Sequence, residues 1–201
     1  MAFEKTAGSG LLIGLLVAAG RGRRFDPSGA RSKLEARLDG AMVALRTAQA
    51  LLAACDRVIA AVRPDSLELS DELRRAGCEI APVTGEEGMG NSIACGARAA
   101  LRHEHLRALL VQPADMPWLE AVSVRQVAGV VAPAGELIAL PTHRGRDGHP
   151  VRFDASLVPA LARLSGDRGA RQLLLRHPAL RMPIDHAGVV RDLDTPADLE
   201  A

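Results

Sequence analysis

Residues 11–17, LLIGLLV, form an unbroken apolar run, and no other feature narrows the fold as much. A strand with one wet face alternates apolar and polar residues. A strand that is apolar throughout must be covered on both faces, as in a parallel sheet flanked by helices. RVIAAV (57–62), CEIAPV (78–83) and RALLVQPAD (107–115) read as the second, third and fourth strands. Between them, residues 41–54, 66–76, 92–102 and 120–128 have helical spacing. This alternation predicts a three-layer α/β/α sandwich around a mainly parallel sheet. ELIALPT (136–142) and PVRF (150–153), joined by HRGRDGH, predict a late hairpin that inserts an antiparallel strand. Small helices near 155–164 and 168–176, a strand at 181–185 and a helical turn at 196–200 complete the pattern.

At 201 residues the chain is expected to be one domain, residues 1–201, with the first ten disordered. A net charge of +1 leaves no footprint for nucleic acid or an anionic membrane. With no Tyr and a single Trp, Trp118, there is no stacking platform for single strands either. Cys55, Cys78 and Cys95 are scattered, odd in number and without CxxC spacing. They suit a reducing, cytoplasmic setting and small buried positions, not a disulfide framework or zinc site. LLIGLLVAA could be the core of a signal peptide, but Lys5 is balanced by Glu4 and the arginines lie on the wrong side. A buried first strand explains it better, and no run reaches transmembrane length.

In sheets of this type ligands sit beyond the carboxyl ends of the strands, which directs attention to residues 18–33, 84–92 and 112–118. After the first strand comes AAGRGRRFDPSGARSK. Gly20 and Gly22 begin like a Rossmann dinucleotide fingerprint, but Phe25 stands where its third glycine would open a helix. The glycines let backbone approach a phosphate or base, and Arg21, Arg23, Arg24 and Arg31 surround the turn with positive charge. Of the 25 basic residues only Lys5 and Lys33 are lysines. Lys33, at the end of this loop, is either a solvated surface lysine or a compact point charge for phosphate oxygens.

Asp115, in QPADMPW, ends a strand where a carboxylate can hold Mg²⁺ against substrate phosphates. The alternative is a cap on a helix whose first turn contains Pro117, and the position at a strand end favours the metal reading over it. GEEGMGNS places Gly88 and Gly90 ahead of a helix N-terminus that can receive a base, ribose or phosphate. Asn91 and Ser92 there are candidates for a plain cap, Asn91 above all. In RDLDTPADLE, Thr195, Pro196 and Asp198 spell an ordinary helix start, which leaves Asp192 and Asp194 as surplus carboxylates for a second metal ligand. His149, set among glycines in GRDGHP, is an exposed loop histidine or a ligand-side group. No Ser or Cys sits in a nucleophile elbow.

Taken in order, these segments resemble the MobA-like nucleotidyltransferases, and in particular the molybdenum cofactor cytidylyltransferase branch. The carriers are VAAGRGRRF (17–25) with Lys33, Gly88-Met89-Gly90-Asn91-Ser92, Asp115-Met116-Pro117, Gly148 to Val151, Gly166 to Arg171, and Asp192 to Leu199. The resemblance spans nearly the whole chain. It implies Mg²⁺-dependent nucleotidyl transfer from CTP to the terminal phosphate of molybdopterin, with release of pyrophosphate. By the same resemblance Ala18, Ala19, Gly20, Gly22, Gly88, Gly90 and Ser92 hold the nucleotide. Arg24, Lys33 and Asp115 carry the chemistry, Asp115 and Asp194 hold the metal, and His149 and Arg171 face the acceptor. Ala19 stands where the guanylyl branch usually has glycine, which favours cytosine over GTP as donor. A sister reading keeps the chemistry and changes the nucleotide or phosphorylated acceptor. A third makes the chain a non-catalytic carrier that delivers cofactor to a molybdoenzyme or its chaperone.

Overall fold

The computed structural model describes residues 10–22, 24–28, 32–130, 136–167 and 169–200. Its centre is an eight-stranded, mostly parallel sheet. In chain order the strands are β1 (Leu11–Ala18), β4 (Arg57–Val62), β5 (Glu79–Pro82), β6 (Leu106–Pro113), β7 (Ile138–His143), β8 (Arg146–Asp147), β9 (Val151–Asp154) and β10 (Ala179–Pro183). A separate two-residue hairpin pairs β2 (Arg37–Leu38) with β3 (Ala41–Met42). Across the large sheet the order is β10-β7-β9-β6-β1-β4-β5, with β8 paired to β7.

The apolar runs are continuous because both faces are covered. Odd positions of β1, such as Ile13 and Leu15, join one core cluster, and even positions, such as Leu12 and Leu16, join the other. Helices α1 (Val43–Leu52), α2 (Leu67–Arg75) and α4 (Ala121–Ala128) supply residues to the even face. Helices α3 (Met89–Ala100), α5 (Val158–Leu161) and α6 (Arg171–Arg176) supply the odd face. The α/β/α expectation therefore holds layer by layer.

Several boundaries differ from the sequence reading: the last strand is Ala179–Pro183 instead of 181–185, the last helix Arg171–Arg176 instead of 168–176, and two helix starts beside the site also move. Helix α1 starts at Val43, not residue 41, because Ala41 and Met42 pair back onto Arg37 and Leu38. Asp39 and Gly40 turn that hairpin with φ of 50° and 83°, the doubly positive pattern of a two-residue β turn. Helix α3 starts at Met89, three residues earlier than predicted. The late hairpin is also more elaborate than a simple pair. β8 folds back on β7, and β9 then wedges antiparallel between β7 and β6.

This topology positions the site. The chain runs from β1 outward through β4 and β5, then crosses back to place β6 on the other side of β1. The chain leaves β1 toward β4 on one side and leaves β6 toward β7 on the other, which makes the carboxyl ends of this adjacent pair a switch point.

Candidate active site

A cleft of about 790 Å³ opens at the switch point. Its lining draws on every loop singled out in the sequence. Ala19, Gly20, Gly22, Arg24 and Lys33 come from the β1 loop, Gly88 and Ser92 from the start of α3, and Asp115 from the end of β6. Gly22 has φ of 61°, and a side chain there would press on the Lys33 stem at 3.1 Å from its Cγ. Glycine thus both makes the turn and lets the lysine lie against it. Arg23, Arg31 and the first nine residues, all noted in the sequence, lie outside the described residues.

Lys33 is no surface lysine. Its side chain is only 13% exposed, and Nζ lies 2.6 Å from Asp115 Oδ2 and 3.5 Å from Asp194 Oδ1. It also donates a hydrogen bond to the Leu193 carbonyl at 3.1 Å. Arg24 Nη1 meets the other oxygen of Asp194 at 2.9 Å while remaining 82% exposed. Two cations and two carboxylates, from three segments whose outermost members are 170 residues apart in the chain, converge at one edge of the cleft.

The convergence is built by neighbours without charge. Phe25, at the position of the missing third glycine, is buried with Leu38, Val43 and Leu193 in a third apolar cluster. That cluster ties the β1 loop and the small hairpin to the C-terminal segment. The Leu193 amide donates to the Asp115 carbonyl at 2.7 Å, aligning the two carboxylate-bearing segments. Immediately after it, Thr195 caps a 3-10 turn over Pro196–Leu199, and Asp198 accepts from the amides of Asp194 and Thr195 at 3.0 and 2.7 Å. The helix-start reading of this segment is therefore correct. It is also what holds Asp194 in place.

Asp115 does not cap a helix. Helix α4 begins at Ala121 behind Glu120, so Pro117 lies outside its first turn. Asn91 is not a cap either, because it already lies inside α3, with Gly88 as the flanking residue. Its side-chain amide donates to the Thr84 and Glu86 carbonyls at 2.9 and 2.8 Å and so shapes the loop ahead of the helix. Ser92 bonds back to the Gly88 carbonyl at 3.0 Å. The Gly90 amide donates to the Gly166 carbonyl at 2.7 Å, and a Cβ on Gly90 would lie 2.7 Å from the Ser165 carbonyl oxygen. The glycines of this loop permit a close backbone seam with residues 165–166.

His149 and Arg171 stand apart from the cleft lining. The exposed-loop reading of His149 fails, since its ring Nδ1 is buried and without a partner among the described residues. Burial holds the imidazole below its usual pKa, against the opposing pull of the Val111 carbonyl and the charges of Asp115 and Asp192. Arg171 opens α6 on the surface. Cys55 and Cys78 are unreactive by environment: burial pushes the Cys55 thiol up to about 12 and that of Cys78 to about 11. Sequence reasoning passed over Arg63, which follows β4, lines the cleft and donates to the Ala19 carbonyl at 3.4 Å. Its place at the carboxyl end of a strand was the available signal.

Among the described residues no three His, Cys, Asp or Glu side chains form a metal-binding group. The pair Asp115 and Asp194 still fits a hard divalent cation, because both reach one cationic atom, the Lys33 ammonium, and a carbonyl oxygen joins them there. Mg²⁺ and Mn²⁺ at phosphate sites take one or two carboxylates and fill the rest of their shell with water and substrate oxygens.

Switch-point cleft, glycine loop and a lysine held between a strand-end carboxylate, Asp115, and the C-terminal Asp194 together define a class of α/β nucleotide-handling proteins. Residues 14–180 match the MobA-like NTP transferase domain, and the chain belongs to that nucleotidyltransferase family. It is 30% identical over a 206-residue alignment to the purine catabolism protein PucB of Bacillus subtilis strain 168, covering 94% of each chain. Phosphoenolpyruvate guanylyltransferase of Sphaerobacter thermophilus is also 30% identical, over 88% of this chain and 82% of its own. Among solved structures, Rv0371c of Mycobacterium tuberculosis H37Rv superposes with a TM-score of 0.78 at 24% identity, covering 95% of this chain and 99% of its own. A manganese complex of Rv0371c superposes at 0.73 and 21% identity, covering 94% and 96%. No helix among the described residues is long and apolar enough to cross a membrane.

Proposed function

We propose that this protein transfers a nucleotidyl group from CTP to the terminal phosphate of molybdopterin and releases pyrophosphate. The observation that carries the reading is Lys33 at the cleft edge, held by Asp115 and Asp194 and facing the glycine loop. The base preference rests on Ala19 in the Ala18-Ala19-Gly20 turn, where the guanylyl branch usually has glycine.

Little covalent work is asked of the protein. The acceptor phosphate attacks the α-phosphorus in line, and the bond to pyrophosphate breaks. Backbone at Ala18 to Gly22 and the Gly88–Ser92 loop position the base, ribose and phosphates against the cleft floor. Lys33 and Arg24 take up charge that develops on the phosphoryl oxygens, Lys33 as a compact ammonium and Arg24 as a planar fork. Asp115 and Asp194 would hold the divalent cation, which neutralises phosphate charge when bound. The manganese complex of Rv0371c is consistent with a metal at this kind of site. His149 and Arg171, away from the nucleotide cleft, are assigned to the acceptor side, and a cytoplasmic molybdoenzyme or its chaperone would receive the product.

A second reading, guanylyl transfer from GTP to a smaller phosphorylated acceptor, is favoured by the likeness to phosphoenolpyruvate guanylyltransferase. Pyrophosphate release with CTP, GTP and ATP, each with and without molybdopterin and with phosphoenolpyruvate, separates the two. Release that needs both CTP and molybdopterin is expected. GTP-dependent release with phosphoenolpyruvate would replace the first reading by the second. Release in none of these mixtures, with nucleotide still bound, would favour a carrier.

A further inference from the structure

We propose that Lys33 is the resident cation of the metal site: without nucleotide its ammonium fills the oxygen nest that the divalent ion takes, and nucleotide drives the exchange. This deepens the reading of Asp115 and Asp194 as the metal pair and rests on it. Lys33 Nζ meets three oxygens of different origin, Asp115 Oδ2 at 2.6 Å, the Leu193 carbonyl at 3.1 Å and Asp194 Oδ1 at 3.5 Å. Two carboxylates and a backbone carbonyl around one point are hard-cation ligands. An ammonium satisfies them by charge and hydrogen bonds, but a dication cannot enter while it is there. The side chains of Lys33 and Asp115 are only 13% and 21% exposed, so solvent screens the repulsion poorly.

The exchange has a path. The lower stem of Lys33 lies against Gly22, whereas the lysine also lines the cleft that holds the β1 loop. Rotation of its terminal bonds carries Nζ from the carboxylates toward that loop, where a triphosphate brings several negative charges. Arg24 stays on the outer oxygen of Asp194 and keeps that carboxylate partly compensated during the move. Metal alone is opposed by Lys33, and triphosphate alone strips Lys33 from two carboxylates. Both together leave every charge paired, so each tightens binding of the other.

The test is Mn²⁺ binding to the full chain without nucleotide, read as loss of the free-ion signal in electron paramagnetic resonance. Lys33→Met should bind Mn²⁺ about tenfold or more tightly than the parent, within the usual range of coupling between sites. Its melting temperature should also rise more on adding Mn²⁺ than the parent's does. Lys33→Gln, neutral but polar, should shift affinity in the same direction and guards against an effect of the apolar replacement. Unchanged or weaker Mn²⁺ binding in both variants overturns the exchange. If Asp115→Asn still abolishes parental binding in that case, the metal-pair reading survives. Tight binding that persists in Lys33→Met/Asp115→Asn puts the metal elsewhere and overturns both.

Discussion

The ion pairs along helix α2 and the pair at the cleft have almost the same length. Arg74 meets Asp71 and Arg75 meets Glu72 at 2.7 Å, and Lys33 meets Asp115 at 2.6 Å. Their surroundings differ completely. The helix pairs join residues three apart on a solvated face, with Arg74 and Asp71 each 60% exposed. Such pairs form wherever a helix offers the spacing and contribute little. Lys33 and Asp115 are largely enclosed, and the cluster they form with Asp194 and Arg24 comes from three separate segments gathered around Leu193 and Phe25. Enclosure and long-range assembly, not distance, mark it as the place where charge has a task.

That contrast can be broken from either side. Lys33→Ala should lower turnover on the order of a hundredfold or more while the fold is kept, read by pyrophosphate release and circular dichroism. Unchanged turnover would reduce the cluster to the status of the α2 pairs. The pH dependence of stability tests the ground behind the cleft. The folded pKa of His149 is held below its ordinary 6.5, so the unfolded chain binds the proton first. Its contribution is present above that value and is lost as pH falls through it. The slope should approach, at most, one proton's worth, about 1.4 kcal/mol per pH unit. Urea unfolding of the parent against His149→Asn should show that slope only in the parent.

Thr195→Ala, which removes the cap beside Asp194, should cost about 1 kcal/mol in urea unfolding. It should also weaken Mn²⁺ binding, an effect no other cap in the molecule should share. At the small end, Arg74→Ala should change stability by no more than about 0.5 kcal/mol and leave turnover alone. A larger effect there would erase the distinction between the two regions.

Much of the frame was legible because it follows from local pattern. The unbroken apolar runs of β1 and β4 required two covered faces, and the core takes odd and even positions to opposite sides. The Thr195 start was legible because capping depends on residues within one turn. The hairpin at Arg37–Met42 was within reach through Asp39-Gly40, but its second strand, Ala41–Met42, lay hidden at the start of a segment with helical spacing. Asn91 misled for the opposite reason. An asparagine near a helix start usually caps it, whereas here its amide is taken by two loop carbonyls that no local pattern announces.

By itself the sequence determined the layers, the strand ends and the residue types available at them, since hydrophobic period and turn chemistry act over a few residues. Only the tertiary structure decided that Lys33 is enclosed, not solvated, and that Asp194 is the late aspartate beside Asp115. Those outcomes depend on Phe25, Val43 and Leu193 finding one another across the chain and on the Leu193 amide reaching the Asp115 carbonyl. Contacts between distant segments have no period in the sequence, because what sets them is the burial of apolar surface in the completed fold.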